Sequence, residues 1–274
     1  MTLTIHDIEQ RSPEWYAARR GILTASTVHA LLTVAKPSAI AYTCPSCDAD
    51  PSQPCRSKRA GGKGEPLKTI HGERITVAAE TDADPIVSVS SGDEARSLAL
   101  LLAAERITAR TEDTYQTRDM WRGVESEPFA RDCYSENFAP VTECGFMVRD
   151  FDGARIGYSP DGLVGDDGLI EVKAPRAKGH LSTILAGTVP AQHMAQIQCG
   201  LLVSGRRWCD FISFYGGMPL YPVRVHADPL WHVAIVNALH LLEARVADIL
   251  AAYAKAVDGL PMTDPLPDYD EITV

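Results

Sequence analysis

The segment YSPDGLVGDDGLIEVKAP (158–175) leaves this chain little freedom. Apolar runs on either side of a Gly-Asp-Asp-Gly turn signal predict two antiparallel strands, 155–164 and 168–174, joined at that turn. Side chains alternate along a strand, so Glu171 and Lys173 share one face while Val172 points into the apolar layer. Asp161, which follows a proline on the neighbouring strand, then lies beside Glu171. Two carboxylates placed this way repel unless a cation sits between them, and hard oxygen ligands favour Mg2+ or Mn2+. The lysine would stand next to that ion, where it can orient a water or a phosphate oxygen. A surface hairpin with a Glu–Lys cross-pair is the plainer alternative, and the string by itself allows either.

The rest of the chain predicts an α/β protein. Residues 12–32 suggest a helix, a break at Gly21 and a second helix that Thr24 or Ser26 would cap, with Trp15 and Ala18 on one face. Strong helical patterns follow over 92–110 and 117–138, the latter with Met120, Val124 and Cys133 inward. Trp15 and Trp121 are expected to pack rather than stack on bases. Three short β-like runs (141–149, 154–164 and 168–175) suggest an antiparallel meander. A helix over 190–205, two strands over 207–217 and 220–227, and a long helix over 228–257 complete a mixed-sheet sandwich. On the 117–138 helix Glu127 would by itself be an ordinary solvated carboxylate. Together with the hairpin it supplies a third acid for a two-cation site.

Between the first helices and 91 the texture changes. Residues 37–90 are rich in Pro, Gly, Cys and basic residues, and form an inserted module, with 81–91 as a linker. Cys44-x2-Cys47, Cys55 and His71 make a Cys3His set suited to structural Zn2+, and a metal would supply stability that so apolar-poor a segment lacks. An iron–sulfur cluster is the competing metal, and free thiols the plain alternative. Cys133, Cys144, Cys199 and Cys209 fall within core elements and are expected to be buried. Arg56, Lys58, Arg59, Lys63 and Lys68 make the insert the basic part of a chain whose net charge is −10, which suggests a DNA-gripping or partner-docking knuckle. That net charge argues only mildly against DNA binding. No apolar run is long enough to span a membrane, and the start lacks a signal pattern, so the cytoplasm is the expected location. The core is expected over 1–36 and 91–258, with an acidic, poorly ordered tail over 259–274.

Four segments in order, EWYAARRGILTASTVHALL, MWRGVESEPFAR, SPDGL…LIEVKAP and HMAQIQCGLLVSG, resemble the phage lambda exonuclease and YqaJ-type viral recombinase family of the PD-(D/E)xK superfamily. The resemblance covers about 11–36 and 91–215. It implies a restriction-endonuclease-like core, a central mixed sheet flanked by helices, and Mg2+-dependent digestion of duplex DNA ends, with no membrane association. Carried over by position, Asp161 and Glu171 match metal-binding acids, the Val172 carbonyl a further ligand, and Glu127 the acid nearest a second ion. Lys173 matches the lysine that positions the attacking water. Arg19 and Ser26 match residues that hold the 5′-phosphate, which a helix N-terminus near Ser26 would assist. Gln196 or Gln198 matches a supporting glutamine, and Gln196 shares a face with His193. The resemblance also implies 5′→3′ polarity, a single-strand annealing partner and a homo-oligomer, a trimer in the lambda enzyme. An endonuclease with the same site, or a non-catalytic DNA-binding or assembly protein, are the alternatives.

Overall fold

The computed structural model describes residues 1–57, 64–81, 83–112 and 117–265. Strand β1 (Thr2–His6) leads into helix α1 (Pro13–Arg19), where Ser12 Oγ accepts from Trp15 N at 3.2 Å and Pro13 fills the first turn. Gly21, at φ 67°, turns the chain away. The expected second helix does not form. Leu23–Thr24 make strand β2, Val28–Leu31 make only a four-residue 3-10 turn, and Leu32–Ala35 make strand β3. Two threonines and a valine disfavour the helix here, and the Thr24 and Thr27 hydroxyls bond each other at 3.1 Å, offering a local alternative. Ser26 therefore has no α-helix N-terminus beside it.

Helix α2 (Gly72–Glu80), unforeseen within the insert, precedes strand β4 (Ile86–Val89). The stretch expected as a linker thus holds a strand, and β4 pairs antiparallel with β3 from Leu32↔Val89 to Ala35↔Ile86. The insert leaves and returns along one two-stranded ribbon. Helices α3 (Asp93–Thr108) and α4 (Arg118–Asn137) then follow where the periodicity puts them.

The meander is where sequence and structure part most instructively. Strands β5 (Val141–Thr142), β6 (Phe146–Phe151), β7 (Ala154–Tyr158), β8 (Gly162–Val164) and β9 (Gly168–Lys173) are short and distributed over two sheets. The run 154–164 is two strands, not one. Pro160 has no N–H to give a ladder, and the chain crosses at Ser159–Asp161 from one sheet to the other. Helix α5 (Ala177–Ala186), also unforeseen, and helix α6 (Ala191–Ser204) lead to strands β10 (Trp208–Ser213) and β11 (Tyr221–His226) and helix α7 (Pro229–Ala256). Among the described residues one mixed sheet runs β1-β6-β7-β2, and a second runs β11-β10-β9-β8-β5. The expected central sheet is thereby divided.

Strand β9 is covered on both sides. Leu169 packs with Ile156, Phe211, Trp231 and Leu239 in the main core, whereas Ile170 and Val172 pack against Ala130 and Tyr134 of α4. Cys199 and Cys209 are buried as expected, but Cys133 and Cys144 are only half-buried. Met120, expected inward, and Trp121, expected to pack, are exposed by 49% and 55%. Of the tail, residues 266–274 lie outside the described residues, as do Lys58, Arg59 and Lys63 of the insert. No helix among the described residues is long and apolar enough to cross a membrane.

Strands β6 and β7 approach closely at Gly157, where an added Cβ would lie 2.2 Å from the Phe146 ring. Gly157→Ala is expected to destabilise the fold by about 1–3 kcal/mol through overpacking, read as a lower urea midpoint at unchanged slope. An unchanged midpoint would mean that the ring moves aside freely.

Candidate active site

The β8–β9 hairpin forms as the Gly-Asp-Asp-Gly turn predicts, with Gly162 opposite Ile170. Extending that register by one residue sets Asp161 opposite Glu171, the relation expected from sequence. Asp161 Oδ2 accepts from the Val172 amide at 2.6 Å, so backbone holds it against the strand that carries the other acid. Glu171 is 1% exposed, yet it has three donors: Lys173 Nζ at 2.7 Å and Gln196 Nε2 at 2.6 Å on Oε1, and Tyr158 OH at 3.3 Å on Oε2. A carboxylate so buried must be satisfied in this way.

The electrostatics follow from the crowding of acids. Burial, and then the charges of Glu171 and Glu127, push the Asp161 carboxyl well above the usual carboxylate range. Burial works against the Lys173 charge, but Glu171 and Asp161 outweigh it and hold the ammonium above its ordinary value. Burial, followed by the Glu171 charge, also raises the Tyr158 phenol, keeping it a proton donor to Glu171. Acids that destabilise one another's charge in a dry site suit a hard divalent cation.

The two candidate glutamines separate cleanly. Gln196 reaches Glu171, whereas Gln198 is buried elsewhere, donating to His226 O at 2.8 Å and accepting from Asp228 N at 2.9 Å. Gln198 therefore ties α6 to the start of α7. One turn before Gln196, His193 stacks on Phe211 with ring centroids 5.4 Å apart. Burial and then the Lys173 charge lower its pKa to about 4.

Glu127 approaches from α4 and is engaged by two arginines. Arg11 Nη2 donates to its Oε2 at 3.0 Å, and Arg131 Nη1 lies 3.6 Å from its Oε1. Arg131 also donates to the Asp161 carbonyl at 2.9 Å. It thus bridges α4 to the hairpin. Its i, i+4 spacing from Glu127 was visible in sequence, whereas Arg11 and Tyr158 carried no comparable signal.

Arg19 and Ser26 also come together. Arg19 donates to Ser26 Oγ and Ser159 Oγ, both at 3.4 Å, and its guanidinium lies 4.0 Å above the Trp15 ring. Trp15 is the packing residue expected and donates to Ser159 at 2.7 Å. Burial lowers the Arg19 pKa to about 10, and no ion pair engages it among the described residues. A half-buried cation beside two hydroxyls has the donors to receive an anion. Ser159 lies two residues before Asp161, so this pocket and the acids share one loop.

In the insert, the ligand atoms of Cys44, Cys47, Cys55 and His71 all lie within 4.8 Å of one another. Among the described residues it is the only such cluster of three or more potential ligands. Three soft sulfurs and an imidazole fit Zn2+. The carboxylates of Glu127, Asp161 and Glu171 are not drawn together so tightly, and Glu127 is held by its arginines.

The family model of the YqaJ-like viral recombinase domain matches residues 71–207, and a model described as a DNA-binding phage zinc finger domain matches residues 9–88. Among solved structures, the alkaline exonuclease LHK-Exo from Laribacter hongkongensis is 25% identical, with a TM-score of 0.62. The alignment covers 91% of this chain and 100% of that one. LHK-Exo in complex with dAMP aligns over the same shares at 25% identity and a TM-score of 0.63. A phage-related exonuclease from Haemophilus somnus 129PT is 12% identical over 85% of this chain and 96% of its own, with a TM-score of 0.47. No curated protein matches the chain.

His193 gives a pH test of the site's packing. The unfolded ring takes a proton near its ordinary value, about 6.5, while the folded ring resists until about 4. Its contribution is therefore intact above the unfolded value and is lost as pH falls through this window. From pH 7 to 5 the wild type should lose about 1 kcal/mol more than His193→Gln in urea unfolding, allowing for solvent screening. An equal loss in both proteins would remove His193 from the account.

Proposed function

The chain belongs to the YqaJ-like viral recombinase family, and from that premise we propose a phage-type, divalent-metal-dependent exonuclease that digests linear duplex DNA from 5′-phosphorylated ends. The observation that carries this reading is the Glu171 carboxylate, buried yet held by Lys173, Gln196 and Tyr158 beside Asp161. The similarity to an alkaline exonuclease over nine-tenths of the chain supports the same reading.

In this reading Asp161, Glu171 and the Val172 carbonyl would hold one Mg2+ or Mn2+, and Glu127 would contribute to a second. When bound, such ions supply Lewis-acid charge that favours a water nucleophile and stabilises the leaving oxygen. The protein's own groups do the positioning. Gln196 and Tyr158 fix the Glu171 carboxylate, the Val172 amide fixes Asp161, and Lys173 orients the attacking water and faces the phosphate. Arg19 and Ser26 receive the 5′-phosphate and set the register of cleavage, giving 5′→3′ polarity. The product would be a 3′ single strand for an annealing protein, made by a homo-oligomer such as a trimer. Cys44, Cys47, Cys55 and His71 hold structural Zn2+ in the 37–90 module, between core segments 1–36 and 91–258.

Linear duplexes with 5′-phosphate or 5′-hydroxyl ends, beside a closed circle, test the reading with Mg2+ or EDTA. Loss of the 5′-phosphorylated duplex, dependent on Mg2+ and sparing the circle, is expected. Cutting of the circle would favour an endonuclease, and no digestion at all a binding or assembly role. Lys173→Ala should lower the rate about 10²–10⁴-fold while leaving DNA-end binding intact. Arg19→Ala should erase the preference for 5′-phosphate over 5′-hydroxyl.

A further inference from the structure

Arg74 heads the fully buried side chains of the described residues, at 0% exposure. It sits in the first turn of α2, three residues after His71. All five of its N–H donors are engaged. Nε donates to Tyr42 O at 2.7 Å. Nη1 donates to Gln53 O at 2.8 Å and to Cys55 Sγ at 3.5 Å. Nη2 donates to Ile40 O at 3.0 Å and to Asp50 O at 2.9 Å. No carboxylate pairs with it among the described residues. A buried guanidinium whose oxygen partners are all carbonyls is satisfied in hydrogen bonding, but none of those oxygens answers its charge.

The missing negative charge is next to it. Three thiolates and a neutral imidazole around a divalent ion leave one net negative charge, and Arg74 touches one of those sulfurs. We propose that Arg74 is the built-in counter-ion of the Cys44–Cys47–Cys55–His71 centre and the clamp that shapes it. The inference rests on the reading of that cluster as a zinc site. The clamp is geometric as well as electrostatic. The four carbonyls lie at 40, 42, 50 and 53, on both flanks of the Cys44–Cys47 knuckle, so one planar fork fixes the two arms that bring the sulfurs together. Backbone amides complete the outer shell, with Arg56 N donating to Cys47 Sγ at 3.3 Å and His71 N to Cys55 Sγ at 3.5 Å. Partners of this kind orient ligands and tune affinity. Lysine cannot replace the fork, because its ammonium presents three donors from a single point.

The test uses the full chain as wild type, Arg74→Lys and Arg74→Met, with His71→Ala as a ligand-loss control. Zn2+ affinity is measured by competition with a chelating dye, and ligand geometry by the absorption bands of the Co2+-substituted protein. The wild type is expected to bind one Zn2+ per chain. Arg74→Met should bind it at least tenfold more weakly, within the range for outer-shell partners. Arg74→Lys should lose less affinity but show shifted Co2+ bands, since charge is kept and the fork is lost. Wild-type affinity and bands in Arg74→Met would overturn the proposal. Should Arg74→Met fail to fold, Arg74→Lys decides, and wild-type bands there would overturn the clamp. A wild type that binds neither metal, with His71→Ala indistinguishable from it, would instead overturn the zinc reading itself.

Discussion

A carboxylate buried in the middle of a strand is the constraint around which this molecule is arranged. Glu171 lies on the same face of β9 as Leu169, at the main core, where an unpaired charge would be intolerable. Its satisfaction draws on three separate parts of the chain: Lys173 of its own strand, Tyr158 at the end of β7 and Gln196 on α6. Each donor offsets part of the cost of burying that charge. Folding and assembly of the site are therefore coupled.

The period-two pattern of the hairpin made Asp161, Glu171 and Lys173 legible in sequence, because they need only one turn and one strand to meet. Glu127 was legible only in company with the hairpin, and the Arg19–Ser26 pair through the resemblance alone, since nothing in their own segments points toward the acids. Tyr158 escaped notice because its role arises from the crossing at Pro160, which carries β7 into one sheet and β8 into the other. Sequence alternation cannot report which sheet a strand joins. The choice between Gln196 and Gln198 was likewise settled only by what lies against each face of α6. The false helix at 24–32 shows the reverse failure, where an apolar spacing outweighed the local preferences of Thr24 and Thr27.

Among the basic groups near the acids, Arg131 and Arg19 work in opposite senses. Arg131 is spent on the protein itself, bridging Glu127 to the Asp161 carbonyl and fixing α4 over the hairpin. Arg19 is held by an indole and hydroxyls, which orient its charge without neutralising it. Two arginines of the same chemistry thus differ in whether charge is left over for a ligand, and the difference lies in their partners.

The ribbon of β3 and β4 has a consequence for how this chain came to carry its cysteine cluster. Ala35 and Ile86 are paired neighbours, so to the core the whole stretch between them is the loop of a hairpin. Closing such a loop costs free energy that rises only with the logarithm of its length. The core is thus nearly indifferent to what is grafted there, and the site of attachment is a socket into which modules of different size and binding preference can be exchanged without refolding the nuclease beneath.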